Sequence, residues 1–189
     1  MKNNLSLKIN LLTFLMSFCL AQKDVKKDSL VYEKWFVSYS MGAQISGIKT
    51  EDFVSSNVSP AVTFCLGKWV SPEIALQVGF KGLYFHTISN DDKRYYNFIY
   101  GNVLFDVNKM GGMKNINRKW NFIFYPGGGY FYNYYYNRPN ICANIGFMSS
   151  GTFEGYNIFL DISAIMAWDI YQGNEDILPS ANIGLIYEI

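Results

Sequence analysis

The sequence predicts an all-β protein, an eight-stranded antiparallel up-and-down transmembrane β-barrel, on three observations. Eight segments of about ten residues alternate apolar with small or polar residues at a period of two, and none shows a helical stripe. The apolar face of these segments carries no charge. The last stretch, 179–189, alternates to the final residue, so it is expected to be paired along its whole length.

The composition agrees with one domain and an unusual surface. The 189 residues suit a single domain, and no Pro- or Ser-rich break divides them. Aromatic residues make up 18% of the chain and charged residues only 16%, against about 25% charged residues in an average soluble protein. Charge alone therefore cannot solvate the surface.

The amino-terminal residues predict an export signal. Lys2 and Lys8 lie in a positive opening segment, Ile9 to Leu20 is apolar, and Ala21 is a small residue at a cleavage site before Gln22. A lipoprotein modified at Cys19 is the alternative. Removing residues 1–21 leaves 14 basic and 15 acidic residues, so the mature chain has no net positive charge that would attract nucleic acid. Residues 22–34 are predicted to be a periplasmic lead and 35–189 the barrel.

The first four predicted strands are separated by polar links and one tight turn. They cover residues 35–46, 58–67, 74–85 and 95–108. Their apolar faces are formed by Trp35, Val37, Tyr39, Met41, Ala43 and Ile45; by Val58, Pro60, Val62, Phe64 and Leu66; by Ile74, Leu76, Val78, Phe80 and Tyr84; and by Ile99, Gly101, Val103, Phe105 and Val107. The tight turn is predicted at residues 70–73, where Pro follows Ser.

The last four predicted strands continue the same alternation. They cover residues 120–132, 140–148, 156–168 and 179–189, with turns at 149–155 and a loop at 169–178. Their apolar faces are formed by Trp120, Phe122, Phe124, Tyr130 and Tyr132; by Ile141, Ala143, Ile145 and Phe147; by Tyr156, Ile158, Leu160, Ile162, Ala164, Met166 and Trp168; and by Ala181, Ile183, Leu185, Tyr187 and Ile189. Eight strands of this length suit a bilayer crossing, and the even number returns both termini to one side.

The opposite face of the strands decides between a membrane barrel and a soluble, lipocalin-like one. A soluble barrel would show water many Lys and Glu, whereas this face is mainly Gly, Ser, Asn and Ala. We therefore expect the apolar face to contact lipid and the small residues to fill the lumen. The predicted luminal polar network comprises Lys81, Asn102, Asp106, Asn144, Asp161 and Glu188. The predicted aromatic girdle comprises Trp35, Trp120, Tyr156, Trp168 and Tyr187.

Four stretches of the chain resemble the small outer-membrane β-barrel proteins of Bacteroidetes, which share the architecture of the OmpA and OmpX transmembrane barrels. They are GKWVSPEIALQVGFKG at 67–82, GNVLFDVNKM at 101–110, RKWNFIFYPGGGYFYN at 118–133 and the terminal strand. The resemblance covers about residues 35–189 and implies an outer-membrane location and assembly by the outer-membrane machinery. The chain departs from the pattern at its end, because such barrels commonly end in an aromatic residue and this one ends in Ile189.

The residues offer little for catalysis, and we predict neither an enzyme nor a cofactor or metal site. His86 is the one histidine, so a histidine triad or a multi-histidine metal site cannot be built. The glycines at 127–129 lack the Lys and the helix of a phosphate loop, so they are expected to let an aromatic strand bend. Cys65 and Cys142 are predicted to be free, shielded thiols at different heights in the lumen.

The expected role is structural, or one of surface interaction through extracellular loops at 46–57, 86–94, 133–139 and 169–178. An eight-stranded interior is only wide enough for side chains, which disfavours bulk transport. A narrow channel or a carrier of small apolar molecules is the alternative, and a soluble ligand-binding barrel is a further one. The expected partners are the outer-membrane bilayer, the assembly machinery and an unidentified extracellular partner.

Overall fold

A computed structural model describes residues 34–46, 57–86, 93–111, 120–153, 156–168, 170 and 175–189. The predicted signal peptide (1–21) and nearly all of the predicted lead (22–34) lie outside these residues. The strands are β1 (Lys34–Ile45), β2 (Val58–Trp69), β3 (Ile74–His86), β4 (Lys93–Asp106), β5 (Trp120–Asn133), β6 (Arg138–Phe153), β7 (Tyr156–Trp168) and β8 (Glu175–Glu188). A four-residue helix, α1 (Val107–Met110), follows β4.

The eight strands form one closed barrel in which each strand pairs antiparallel with the next and β8 pairs with β1. This confirms the predicted eight-stranded up-and-down barrel. The register is staggered: followed strand by strand once around the barrel, it begins at Lys34 and returns to β1 at Gln44, ten residues further on. Such a stagger is what tilts the strands of a closed barrel by about 35–45°.

Both ends of the described chain lie at the same end of the barrel, which we call the termini end. The tight turn at 70–73, α1, the last residue of β6 and the first of β7 lie there too, while β1, β3, β5 and β7 end, and β2, β4, β6 and β8 begin, at the opposite end, the loop end. The predicted turn at 70–73 is present: the Ser71 hydroxyl accepts hydrogen bonds from the backbone N–H groups of Glu73 and Ile74 at 3.3 and 3.0 Å.

Several predicted strand boundaries are wrong by one or more residues, and three of these differences have a cause in the structure. The fourth strand ends at Asp106 rather than 108, because the Asp106 carboxylate accepts the Lys109 backbone N–H at 3.0 Å and caps α1. The sixth continues through Phe153, so Ser149 begins no turn. The eighth begins at Glu175, which shortens the predicted loop at 169–178. In β6 and β8 the cross-strand pairs continue through residues whose local sequence predicts a turn or loop.

The loop-end turn between β5 and β6 is described in full and is shorter than the predicted 133–139 loop. Only residues 134–137 lie between the strands, and Asn137 has a positive φ of 51°, which asparagine tolerates better than most residues. The Tyr134 N–H donates to the Tyr95 carbonyl at 3.1 Å and the Tyr135 N–H to the Asn133 side chain at 3.0 Å. These bonds hold the turn against β4 and β5. Among the described residues, no helix is long and apolar enough to span a membrane.

Candidate functional site: the barrel interior and its outer belts

A layer of hydrogen-bonded polar side chains crosses the middle of the barrel. Lys81 Nζ donates to Ser180 Oγ at 2.5 Å, the Ser180 and Ser163 hydroxyls lie 3.0 Å apart, and Ser163 Oγ donates to Asp161 Oδ2 at 3.1 Å. Asn182 Nδ2 donates to the same carboxylate oxygen at 3.2 Å, and the Tyr125 hydroxyl donates to Asp161 Oδ1. Lys81 and Asp161 are thereby linked through two serine hydroxyls, with both charges buried.

The predicted network residues divide into three places. Lys81 and Asp161 belong to the chain of bonds just described. Asn102 and Asn144 form a second chain, in which Asn144 Nδ2 donates to Asn102 Oδ1 at 3.0 Å and Asn102 Nδ2 donates to Gln77 Oε1 at 3.1 Å. Asp106 and Glu188 lie apart at the termini end: Asp106 caps α1 and pairs with Lys109 at 3.1 Å, and the half-exposed Glu188 pairs with Lys34 at 3.4 Å.

Aromatic rings fill the interior on the loop-end side of this layer, which the expected lumen of Gly, Ser, Asn and Ala did not include. Phe85, Phe98 and Phe131 are completely buried, and Tyr96 stacks on Phe131 with 4.7 Å between ring centroids. Tyr96 donates from its hydroxyl to Gln44 Oε1 at 2.6 Å. The two-residue period of the strand could have predicted an inward ring: Phe85 is four residues after Lys81 on β3, so both side chains point to the same face.

Four large rings inside the barrel are each paired with a glycine on the neighbouring strand. The cross-strand pairs are Phe36 with Gly67, Tyr100 with Gly79, Tyr125 with Gly146 and Phe159 with Gly184. A Cβ atom at any of the four glycines would overlap the partner ring. One pair occurs in each of the hairpins β1–β2, β3–β4, β5–β6 and β7–β8, so glycines make the room that lets a narrow barrel hold aromatic side chains.

The interior on the termini-end side contains a second apolar cluster and then an open cavity. Phe36, Leu104, Ile123, Met148 and Phe159 are buried below the polar layer. A cavity of about 200 Å³ adjoins this cluster, and charged and polar residues of the strand ends, Glu188 and Asn121 among them, form the rest of its lining. Within the described residues, buried side chains thus fill the interior towards the loop end, whereas a cavity opens towards the termini end.

The outer wall of the barrel is an apolar band. Val78, Ile99 and Ile162 are at least 60% exposed in its middle, and side chains of this kind recur on every strand. Among the outward strand positions whose side chains are described, the charged residues are Lys68 and Lys93, and both lie at strand ends. Lys68 Nζ lies 5.3 Å over the Trp35 ring and Lys93 Nζ lies 5.0 Å over the Tyr84 ring.

Aromatic residues border this band at both ends. Of the predicted girdle, Trp35, Trp120, Tyr156 and Tyr187 lie at the termini end, where the last three are well exposed. Trp168 lies on β7 at the loop end, but its side chain is outside the described set. A tyrosine belt at the loop end was not predicted as a girdle; it consists of Tyr84, Tyr95, Tyr130, Tyr132 and Tyr134. Ten strand residues separate the belts, which corresponds to roughly 25 Å for tilted strands.

The remaining predicted groups take structural positions. Cys65 and Cys142 are free and buried, as predicted, and both belong to one cluster of buried apolar residues. The glycines at 127–129 lie in β5, where a Cβ on Gly127 or Gly129 would overlap β4. His86 lies at the end of β3. No cluster of three or more metal-ligating side chains occurs among the described residues.

Comparison with known proteins gives structural likeness without sequence likeness. No protein-family model matches the chain, and no curated protein matches it in sequence. The fold is similar to that of Neisserial surface protein A. The TM-score is 0.52 at 7% identity, covering 82% of this chain and 97% of that one. The amino-terminal β-barrel domain of Pseudomonas aeruginosa OprF (TM-score 0.47, 9% identity, 80% and 97% covered) and the Yersinia pestis attachment invasion locus protein Ail (0.43, 9%, 83% and 97%) also match.

Proposed function

We propose that the chain is an integral outer-membrane β-barrel protein that does not conduct solutes and acts structurally or through surface interactions of its loop end. The observation that carries the proposal is the outer wall: an apolar band, bordered by aromatic belts, with its two lysines at opposite ends over aromatic rings. In water such a band would be a very large exposed apolar surface, whereas a bilayer covers it.

The interior supports a non-conducting role. The aromatic cluster at the loop end and the hydrogen-bonded layer in the middle occupy the lumen, so an ion would have to displace buried rings such as Phe98 and Phe131. An eight-stranded barrel has room for side chains and little else. The narrow-channel alternative therefore receives no support from the described interior.

The proposed orientation puts the termini end in the periplasm and the loop end outside the cell. The predicted signal peptide, the resemblance to the Bacteroidetes barrels and the similarity in fold to Neisserial surface protein A support export to the outer membrane. In this orientation the turn at 134–137 is extracellular and presents exposed Tyr134, Tyr135 and Tyr136 to a partner. Tyrosine is enriched at protein interfaces because its ring is large and rigid and its hydroxyl is polar.

Electrophoresis with and without boiling, combined with fractionation, tests the proposal. We expect the full chain to sediment with outer membranes, to resist extraction by buffer and to dissolve in detergent. The unboiled protein should migrate differently from the boiled one, because a closed barrel resists unfolding by dodecyl sulfate. Recovery in buffer without any mobility shift would contradict the membrane location.

A further inference from the structure

A groove opens on the outer wall over β3, between Val62 of β2 and Asn97 of β4, next to the point near the loop end where β2 and β3 separate. The β2–β3 ladder ends at the pair Ala61 and Leu83, and the next residue of β2 is Pro60, which has no N–H to continue it. Two carbonyl groups of β3 beyond this point accept hydrogen bonds from side chains at and just after the end of β1: Gln44 Nε2 donates to the Tyr84 carbonyl at 2.8 Å, and the Ser46 hydroxyl donates to the His86 carbonyl. The ladder is therefore open beyond this pair, and the Tyr84 and His86 carbonyl groups have hydrogen-bond partners outside it.

Leu83 has a strained backbone at the last pair of the β2–β3 ladder. Its φ of 116° is a conformation that residues with a side chain rarely adopt. By strand parity the side chain should point inward with Lys81 and Phe85, yet it is 44% exposed and lines the groove. Strain of this kind persists where the surrounding structure enforces it, and it is concentrated at functional sites.

The groove combines an apolar floor with a polar upper wall. Its volume is about 290 Å³, and the floor is formed by Val62, Phe80, Gly82 and Leu83. The upper wall carries the carboxamide of Asn97, which donates to the Tyr134 hydroxyl at 2.5 Å, and that hydroxyl keeps its own proton to donate. An amide on an otherwise apolar outer wall is costly in lipid unless it is hydrogen-bonded.

A positively charged side chain, Lys93, lies between the groove and the loop end, on β4, the strand that also carries Asn97. Asn97, Tyr95 and Lys93 follow one another on the outward face of β4, and Lys93 is exposed at the strand end, over the ring of Tyr84. Towards the middle of the barrel the floor continues into the apolar band through Phe80 and Val78. From the middle of the barrel towards the loop end, the outer wall thus presents apolar side chains, then a hydroxyl and a carboxamide group, and then a positive charge.

We propose that this groove binds one acyl chain of lipid A, the phosphorylated glycolipid of the outer leaflet, with a phosphate of the lipid at Lys93. The acyl chain would lie on Phe80 and Leu83 beside Val62, and its ester or hydroxyl groups would meet Asn97 and Tyr134. The inference rests on the proposed function, because only that orientation puts the groove in the outer leaflet. Lipid A fits because it carries acyl chains, hydroxyl groups and phosphate in this order from the membrane core outward.

Native mass spectrometry of the full chain in mild detergent tests the groove. The delipidated protein is titrated separately with bisphosphorylated lipid A and with phosphatidylglycerol. Two variants carry the test. Gly82→Leu places a side chain against the Phe80 ring, 3.2 Å from its new Cβ, and pushes that ring into the groove; Lys93→Gln removes the charge. Each has a matched control on the same outer wall: Gly101→Leu, because a Cβ there meets only the Gln77 carbonyl at 3.8 Å, and Lys68→Gln, the lysine at the termini end.

The wild type should bind one lipid A in preference to phosphatidylglycerol. Gly82→Leu should weaken lipid A binding about tenfold by occluding the groove, and Lys93→Gln should weaken it about fivefold by losing a charge-assisted contact with phosphate. Both controls should bind as the wild type does. If Gly82→Leu fails to fold, the Lys93→Gln and Lys68→Gln pair still decides.

Equal binding by Gly82→Leu and Gly101→Leu, equal binding by Lys93→Gln and Lys68→Gln, a preference for phosphatidylglycerol, or a dimer that excludes lipid would each overturn the inference. If such a result came from a protein whose electrophoretic mobility still changes on boiling, only the proposed lipid site would be wrong. A protein that is soluble in buffer and does not shift would contradict the proposed function itself.

Discussion

The two ends of the barrel interior differ in what fills them. At the loop end, stacked rings such as Tyr96 and Phe131 are packed without exposure, whereas at the termini end the strand ends surround an open cavity of about 200 Å³. The polar layer that contains Lys81 and Asp161 lies between them. The difference predicts that a side chain removed from the loop-end cluster costs more stability than one removed from the border of the open cavity. A solute entering the cavity would meet a closed interior.

Removing one buried ring should have the largest effect. Phe131→Ala leaves a cavity in the loop-end cluster and should lower the free energy of unfolding by about 3–5 kcal/mol. Ile186→Ala, which borders the open cavity, should cost about 1 kcal/mol because no sealed void is formed. Urea titration of the protein in lipid vesicles measures both. Equal losses of unfolding free energy in the two variants would mean that the two halves of the interior contribute equally to stability.

Breaking the polar layer should be the next largest effect. Asp161→Ala leaves Lys81 buried without its counter-charge and removes the acceptor of Tyr125 and Asn182, so it should cost about 3 kcal/mol and lower the melting temperature. The double variant Asp161→Ala with Lys81→Met should recover part of this loss, because no charge is then left alone. An unchanged melting temperature in Asp161→Ala would contradict a buried network.

Adding one methyl group opposite a ring should have a moderate effect. Gly146→Ala places a Cβ against the Tyr125 ring and should destabilise the barrel by about 1–3 kcal/mol. Gly101→Ala, which faces outward into open space, is the matched control and should be close to neutral. If both variants unfold at the wild-type urea concentration, the ring and glycine pairs are not needed for packing.

The ion pair at the open end should matter least. Lys34 and Glu188 are about half exposed, so Glu188→Gln should change the free energy of unfolding by less than about 1 kcal/mol. The same urea titration, repeated at high salt, provides the check. A larger loss would mean that the termini end is more tightly built than its open cavity indicates.

Much of the fold was predictable because a barrel strand carries its own period. The terminal strand alternates throughout its length, and the structure pairs it with β1 and β7. The start of β8 at Glu175 was missed because the loop residues before Pro179 carry no alternation strong enough to outweigh the turn signal. The extent of that strand is set by its ladder with β7, which is tertiary information.

The interior was predictable only in part. Inward parity put Lys81 and Asp161 inside, but the serine bridge between them depends on the register of β3, β7 and β8. Phe98 and Phe131 were missed because an aromatic residue in a membrane barrel is readily assigned to lipid. Their room comes from glycines on other strands, and one-dimensional patterning does not show which glycine faces which ring.

The central claim, that lipid covers the outer band, is tested most directly by thiol labelling in proteoliposomes. Val78→Cys lies in the middle of the band and is 60% exposed on the protein surface, whereas Tyr135→Cys lies at the loop-end turn and is 61% exposed; the native Cys65 and Cys142 are buried. A membrane-impermeant maleimide should label the Tyr135→Cys protein readily and the Val78→Cys protein not at all. Labelling of both at the same rate would contradict the account.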